Sequence, residues 1–134
     1  INYRDPAETT SPEYPIWLTT GRRLQSYHTR TQTGRAQGID YFLSEESLEV
    51  HPEDAREWGL AEGSWCRMAS PRGAIEIRVQ TTRRSPRGTV FASFAFNEAP
   101  VNILTGSGYD PVTQTAELKV CPVRLEPIPT PETV

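Results

Sequence analysis

A small, mainly β barrel with one or two brief helices is the fold class this sequence predicts, and three observations predict it. Short runs alternate between apolar and polar residues, the period of a strand with one buried face. Gly and Pro, with 9 and 12 copies among 134 residues, punctuate these runs too often for long helices. Full helix start and stop signals occur in only one stretch. Several short strands separated by such turns fit a barrel better than a sandwich. Apolar residues make up 36% and charged residues 23%, with a net charge of −3, so the chain is polar for a globular protein yet not of disordered composition. One domain is expected at this length.

The elements follow in order. Residues 1–13 carry Pro6 and Pro12 among Glu, Thr and Ser and read as a linker or N-terminal extension. The domain is expected over 14–126, and the Pro-rich segment 127–134 reads as a tail. The chain opens at Ile1 without a basic-then-apolar leader, as expected of a processed product or a piece of a longer chain. A first strand runs through Ile16-Trp17-Leu18-Thr19 and ends at Gly21. Residues 51–59 form a helix of about two turns, with Pro52 at its first position, acids in its first turn and Gly59 closing it. Residues 64–69 alternate and stop at Ser70-Pro71-Arg72-Gly73, a type I turn by composition. Residues 74–82 alternate again, Ser85-Pro86-Arg87-Gly88 turns the chain, and 89–96 follow as a strand. A second short helix begins near Pro100, and 116–121 alternate as a last strand before Pro122 shifts the phase. No stretch reaches the ~18 apolar residues of a membrane-spanning helix.

Two cysteines, Cys66 and Cys121, with no C-x-x-C pair, exclude a zinc site or iron–sulfur cluster built by this chain alone. They read as small buried hydrophobes, with a disulfide left open. Only Lys119 among the 14 basic residues is a lysine, and the arginine fork suits phosphate and carboxylate. Residues 14–39 hold Arg22, Arg23, Arg30 and Arg35 and no acid, and residues 40–62 hold eight acids against Arg56. The acidic block reads as a solvated face or an interdomain contact rather than a metal site.

The strongest constellation runs from Leu18-Thr19-Thr20-Gly21-Arg22-Arg23 into residues 27–35. A strand ending in a Gly turn frees backbone donors, and hydroxyls at Thr29, Thr31 and Thr33 interleave with His28, Arg30 and Arg35. Hydroxyl, amide and guanidinium donors together are what a pyrophosphate requires. The same run also reads as a Thr-rich strand with a solvated basic face. Neither G-x-x-x-x-G-K-[ST] nor G-x-G-x-x-G is present. His51 reads as a helix cap, Asn102 as a turn former or cap, and Phe91, Phe94 and Phe96 as core or rim aromatics. No nucleophile, metalloprotease or paired-carboxylate motif appears, so no catalytic residue is assigned.

In order, the chain carries TTGR (19–22), HTRTQTGR (28–35), HPEDA with WGL and G (51–63), SPRG (70–73), GTVFASFAF with PVNILT (88–105) and ELKVCPVRLE (117–126). This set resembles the C-terminal cofactor-binding domain of the molybdenum and tungsten oxidoreductases, the dimethyl-sulfoxide-reductase family. Within it, formate dehydrogenase catalytic subunits are nearest and assimilatory-type nitrate reductases the alternative. The resemblance implies a six-stranded double-psi β-barrel that helps hold bis-molybdopterin guanine dinucleotide (bis-MGD), a cofactor that carries the chemistry itself. It implies that Thr20, Gly21, Arg22, His28 and Thr29, with Thr31 and Thr33, contact the dinucleotide. Asn102 would meet the pterin, Lys119 would contact the cofactor from the last strand, and Phe94 would lie near a substrate funnel. The Mo or W ligand and the iron–sulfur cysteines belong to other domains or a large subunit, so this chain contributes no metal ligand and the partners are those domains. A cytoplasmic location is implied, with the periplasm as the alternative. The segment 37–48 departs from the family in being more acidic. A reading from a different class, a nucleic-acid-binding barrel, draws on the basic 14–39 stretch; the negative net charge and the lack of a strip of stacking aromatics argue against it.

Overall fold

The computed structural model describes residues 3–129. Residues 1 and 2 of the expected N-terminal extension, and the expected tail from position 130 onward, lie outside the described residues. Six strands, β1 (Ile16–Gly21), β2 (Ser47–Val50), β3 (Trp65–Ser70), β4 (Gly73–Thr81), β5 (Thr89–Ser93) and β6 (Cys121–Pro127), close into one barrel. Around the barrel the order is β1-β5-β2-β4-β3-β6, with β6 returning to β1. The β1/β5 and β2/β4 pairs are parallel, and the other four are antiparallel. Closure leaves no strand edge unpaired.

Alternation packs the barrel. Ile16 and Leu18 of β1, Ile75, Ile77 and Val79 of β4, and Val90 and Ala92 of β5 turn inward onto Leu48, Val50, Met68 and Val123. The short helices sit outside: α1 (Ile39–Phe42), α2 (Pro52–Glu57), and 3-10 turns at Thr33–Arg35 and Val101–Leu104. The helix read from residues 51–59 is α2, with Pro52 in its first turn. His51 Nδ1 accepts the Glu53 N–H at 3.3 Å, and Gly59 leaves the helix at a φ of +70°. Asp54 of α2 accepts from Arg87 Nε at 2.7 Å and from the Gly88 N–H at 2.6 Å, which fastens the helix to the turn before β5.

Several local readings differ from the structure. The alternating run 116–121 is not a strand: β6 begins at Cys121 and carries Pro122 opposite Trp17. The preceding segment instead curls on itself. The Asp110 carboxylate accepts the Val112 and Thr113 N–H groups at 2.9 and 2.7 Å, and Gln114 takes a φ of +56°. Lys119 therefore lies on the loop before the last strand. Strand β5 stops at Ser93, short of the expected 96. The acidic block conceals β2. Glu46, Glu49 and Asp54 are buried and paired with arginines rather than spread over a solvated face.

Cys66 and Cys121 are both free and buried. Burial pushes the Cys66 thiol up to about 12 and also raises Cys121. The barrel holds both as neutral thiols, so their contribution is complete below the free-thiol pKa and fades as pH rises through the folded value. Neither cysteine should react with a disulfide reagent at pH 8 until the protein is unfolded, when both should titrate. Reaction of either in the native protein would contradict this packing.

Candidate functional site

The site is built where β1 leaves the barrel. Thr20 is 2% exposed, and its Oγ1 donates to the Leu118 carbonyl at 2.5 Å. Its own carbonyl accepts from Lys119 Nζ at 2.6 Å, so the end of β1 and the loop before β6 are tied in both directions. Gly21 closes the strand opposite Ser93. A side chain at Gly21 would put its Cβ 2.6 Å from Cε2 of Phe91. The glycine is therefore required by the Phe91 ring rather than by a left-handed turn.

Beyond Gly21 the chain leaves the sheet, and three arginines lie over three phenylalanines. Arg22 stands 5.7 Å from the Phe94 ring centroid, Arg23 5.1 Å from Phe91 and Arg30 4.1 Å from Phe96. Their charges are handled differently. Arg23 is partly buried, its side chain 11% exposed, and pairs with Glu49 at 2.5 Å and Glu46 at 3.0 Å, and it donates to the Ser47 carbonyl at 2.8 Å. Arg30 pairs with Asp40. Among the described residues, Arg22 is exposed and meets no carboxylate. Glu46, 1% exposed, also accepts the Ser93 N–H at 3.2 Å and the Ser93 hydroxyl.

The segment from 24 to 43 is a folded loop, not the strand that the Thr29, Thr31 and Thr33 alternation invites. His28 and Arg30 take φ values of +49° and +60°, left-handed positions that a strand excludes. His28 packs edge-on to Tyr27 at 5.2 Å and tilts toward Phe94 at 6.5 Å, beside Arg22. Thr29 and Thr31 share a hydroxyl contact at 3.1 Å, and Thr33 Oγ1 accepts the Tyr27 N–H at 3.3 Å. Two clefts of about 590 Å³ flank this loop. One is lined by Arg22, Arg23, Gln25 and Phe91, and the other by Thr29, Arg30, Thr31, Arg35 and Phe96.

Thr20, Gly21, Arg22, His28, Phe94 and Lys119 are thus brought to one end of the barrel. Thr29 and Thr31 line the neighbouring cleft, and Thr33 supports the loop from within. Asn102 sits apart on the Val101–Leu104 turn, exposed, its carbonyl accepting from Thr105 Oγ1 at 2.8 Å. No hydrogen bond joins its side chain to the others among the described residues. Sequence reasoning missed the role of Phe91, Phe94 and Phe96 as platforms, and it missed the Arg23–Glu46–Glu49 cluster. The signal for the second was present in the adjacent blocks of opposite charge.

Residues 16–122 match the family described as Molydopterin dinucleotide binding domain. The chain belongs to that family. Over 128 residues this molybdopterin dinucleotide binding domain is 40% identical to the F420-dependent formate dehydrogenase 2 subunit alpha of Methanococcus maripaludis. It is 37% identical to the F420-dependent formate dehydrogenase subunit alpha of Methanocaldococcus jannaschii. Each match covers 96% of this chain and 19% of the relative, so the domain spans about a fifth of their length. Acetylene hydratase from Pelobacter acetylenicus shares the fold, with a TM-score of 0.80 at 16% identity over 92% of this chain and 20% of that one.

The contrast between neighbouring arginines sets a prediction. Arg23→Ala leaves Glu46 and Glu49 buried without their main counter-charge and should cost about 3–5 kcal/mol of stability. Arg22→Ala removes an exposed stacked side chain and should leave the melting temperature of the domain almost unchanged. Equal melting losses in the two variants would refute this division of labour.

Proposed function

We propose that this domain binds and orients bis-MGD within a molybdenum or tungsten oxidoreductase, as the cofactor-holding domain of a formate dehydrogenase catalytic subunit. The observation that carries this reading is Arg22, an exposed guanidinium beside the Phe94 ring that meets no carboxylate among the described residues, at the strand end that Lys119 also reaches. The donor chemistry fits the group. The Phe94 ring lies within cation–π range of Arg22, and the guanidinium N–H groups, which meet no carboxylate among the described residues, are of the kind that binds phosphate oxygens. Lys119 donates one hydrogen bond to a neutral carbonyl, and its other N–H donors meet no carboxylate among the described residues.

Arg22 and Lys119 are therefore assigned to the anionic part of the cofactor, with His28, Thr29 and Thr31 continuing along it. Thr20 acts by holding the Lys119 loop, and Thr33 by shaping the threonine loop. The exposed Asn102 amide supplies the mixed donor and acceptor that a pterin edge requires. Phe94 backs Arg22 and would border the reaction space. When bound, the cofactor supplies two-electron redox chemistry through its metal, whose protein ligand we assign to the rest of the subunit. This chain binds, orients and excludes water. The relatives named as formate dehydrogenases favour formate over nitrate as the substrate of the whole protein.

In the full-length subunit, Asn102→Leu should keep the fold and lose bound cofactor, since unpaired pterin groups in a dry site cost about 1–3 kcal/mol. Lys119→Met should weaken cofactor retention, and the isolated domain should show no formate-dependent dye reduction. The measurements are metal and pterin quantitation beside thermal melting. Should Asn102→Leu unfold the domain while the remaining folded protein keeps full cofactor, Asn102 is only a turn former. Turnover by the domain alone would end the reading.

A further inference from the structure

Asn102 and Lys119 lie on separate segments, and neither touches the other. The Arg72 side chain bonds to both segments, and the Cys121 thiol joins them directly. Arg72, in the two-residue turn between β3 and β4, donates from Nε and Nη2 to the Leu104 carbonyl at 3.0 and 2.8 Å. Its Nη2 also reaches the Cys121 sulfur at 3.4 Å, and that thiol donates to the same Leu104 carbonyl at 3.0 Å. Leu104 is two residues beyond Asn102, and Cys121 is two residues beyond Lys119. The other edge of the fork grips the N-terminal segment, with Glu8 accepting from Nη1 at 2.5 Å and Nη2 at 2.9 Å.

That segment is held closely. The Ala7 N–H donates to Glu117 at 2.9 Å, and a Cβ at Gly108 would lie 2.7 Å from Ala7 and 2.9 Å from Glu117. The loop after the Asn102 turn thus closes on residues 7 and 8, which are docked rather than a free linker. A neutral side chain could bridge at most part of this junction. The planar guanidinium serves a carbonyl, a carboxylate and a sulfur at once.

We infer that Arg72 is a positioning residue of the cofactor site, fixing the segment of Asn102 against the segment of Lys119 through Leu104 and Cys121. This rests on the cofactor reading proposed above. Arg72 itself donates to the protein and needs no contact with the cofactor. Arg72 also contributes to stability, so the two effects are separated through Glu8→Gln, which breaks the Glu8 pair and leaves the Leu104 and Cys121 contacts in place.

The test compares Arg72→Met, Arg72→Lys, Glu8→Gln, Asn102→Leu and Arg22→Ala in the holoenzyme. Molybdenum or tungsten and pterin are measured per folded protein after gel filtration, beside thermal melting. Arg72→Met should lower occupancy about tenfold, the scale of losing charge-assisted bonds at the site. Glu8→Gln should lower melting while keeping occupancy near that of the parent. Arg72→Lys keeps the charge but has one nitrogen, so it should restore melting and only part of the occupancy. If Arg72→Met does not fold, Arg72→Lys decides: parental occupancy there overturns the inference. Full occupancy in Arg72→Met, with loss in Asn102→Leu and Arg22→Ala, also overturns it and leaves the cofactor reading standing. Full occupancy in all five variants overturns both.

Discussion

The Glu46 carboxylate is buried at the meeting point of three segments, and the rest of the site depends on it. A carboxylate held out of water is tolerated only when its lone pairs are filled and its charge is balanced. Arg23, just after β1, supplies the charge, and the Ser93 hydroxyl and N–H at the end of β5 supply further donors. Ser93 is in turn the register partner of Gly21. This pair therefore sets where β1 ends, and so where Arg22 emerges. The exposed arginine owes its position to the partly buried one beside it.

This arrangement resolves an apparent conflict in the charge pattern. A chain of net charge −3 with a dense acidic block looks a poor host for an anionic dinucleotide. Much of that block is consumed internally. Glu46 and Glu49 are balanced by Arg23 and Arg84, Asp40 meets Arg30, and Asp54, Glu53 and Glu57 surround Arg87. What reaches solvent at the end of β1 is Arg22 and the ammonium of Lys119. Local field, not net charge, governs recognition at such a site.

Legibility in the sequence followed the range of the interactions. Helix α2 was readable because its signals are local, Pro52 at the start and Gly59 at the end. Strand β4 was readable because its alternation is long and both flanking turns are marked. Strand β2 was hidden, since Glu46 and Glu49 look solvent-bound until Arg23 and Arg84 arrive from elsewhere. The alternation at 116–121 misled because six residues alternate easily, and the Asp110 turn outcompetes a ladder there. The threonine run misled likewise, because left-handed backbone at His28 and Arg30 breaks any strand. The strand end at Gly21, where the candidate site begins, was legible from residue type. The Arg72 contacts to Leu104 and Cys121 were not, because Arg72 read only as part of a turn.

The arginine bias of the composition finds its reason at these positions. Arg23, Arg30 and Arg22 share one device, a guanidinium laid over a phenylalanine, in three electrostatic settings. Among the described residues, two carboxylates meet Arg23, one meets Arg30 and none meets Arg22. Each guanidinium lies within cation–π range of its ring, and the difference lies in what else it meets. At Arg23 the two terminal nitrogens pair with Glu49 and Glu46. At Arg22 the guanidinium is exposed and meets no carboxylate among the described residues, which is the setting the proposed anion contact needs. A lysine would carry the charge without the planar fork. What separates Arg22 from Arg23 is thus the set of acids around each, not the arginine itself.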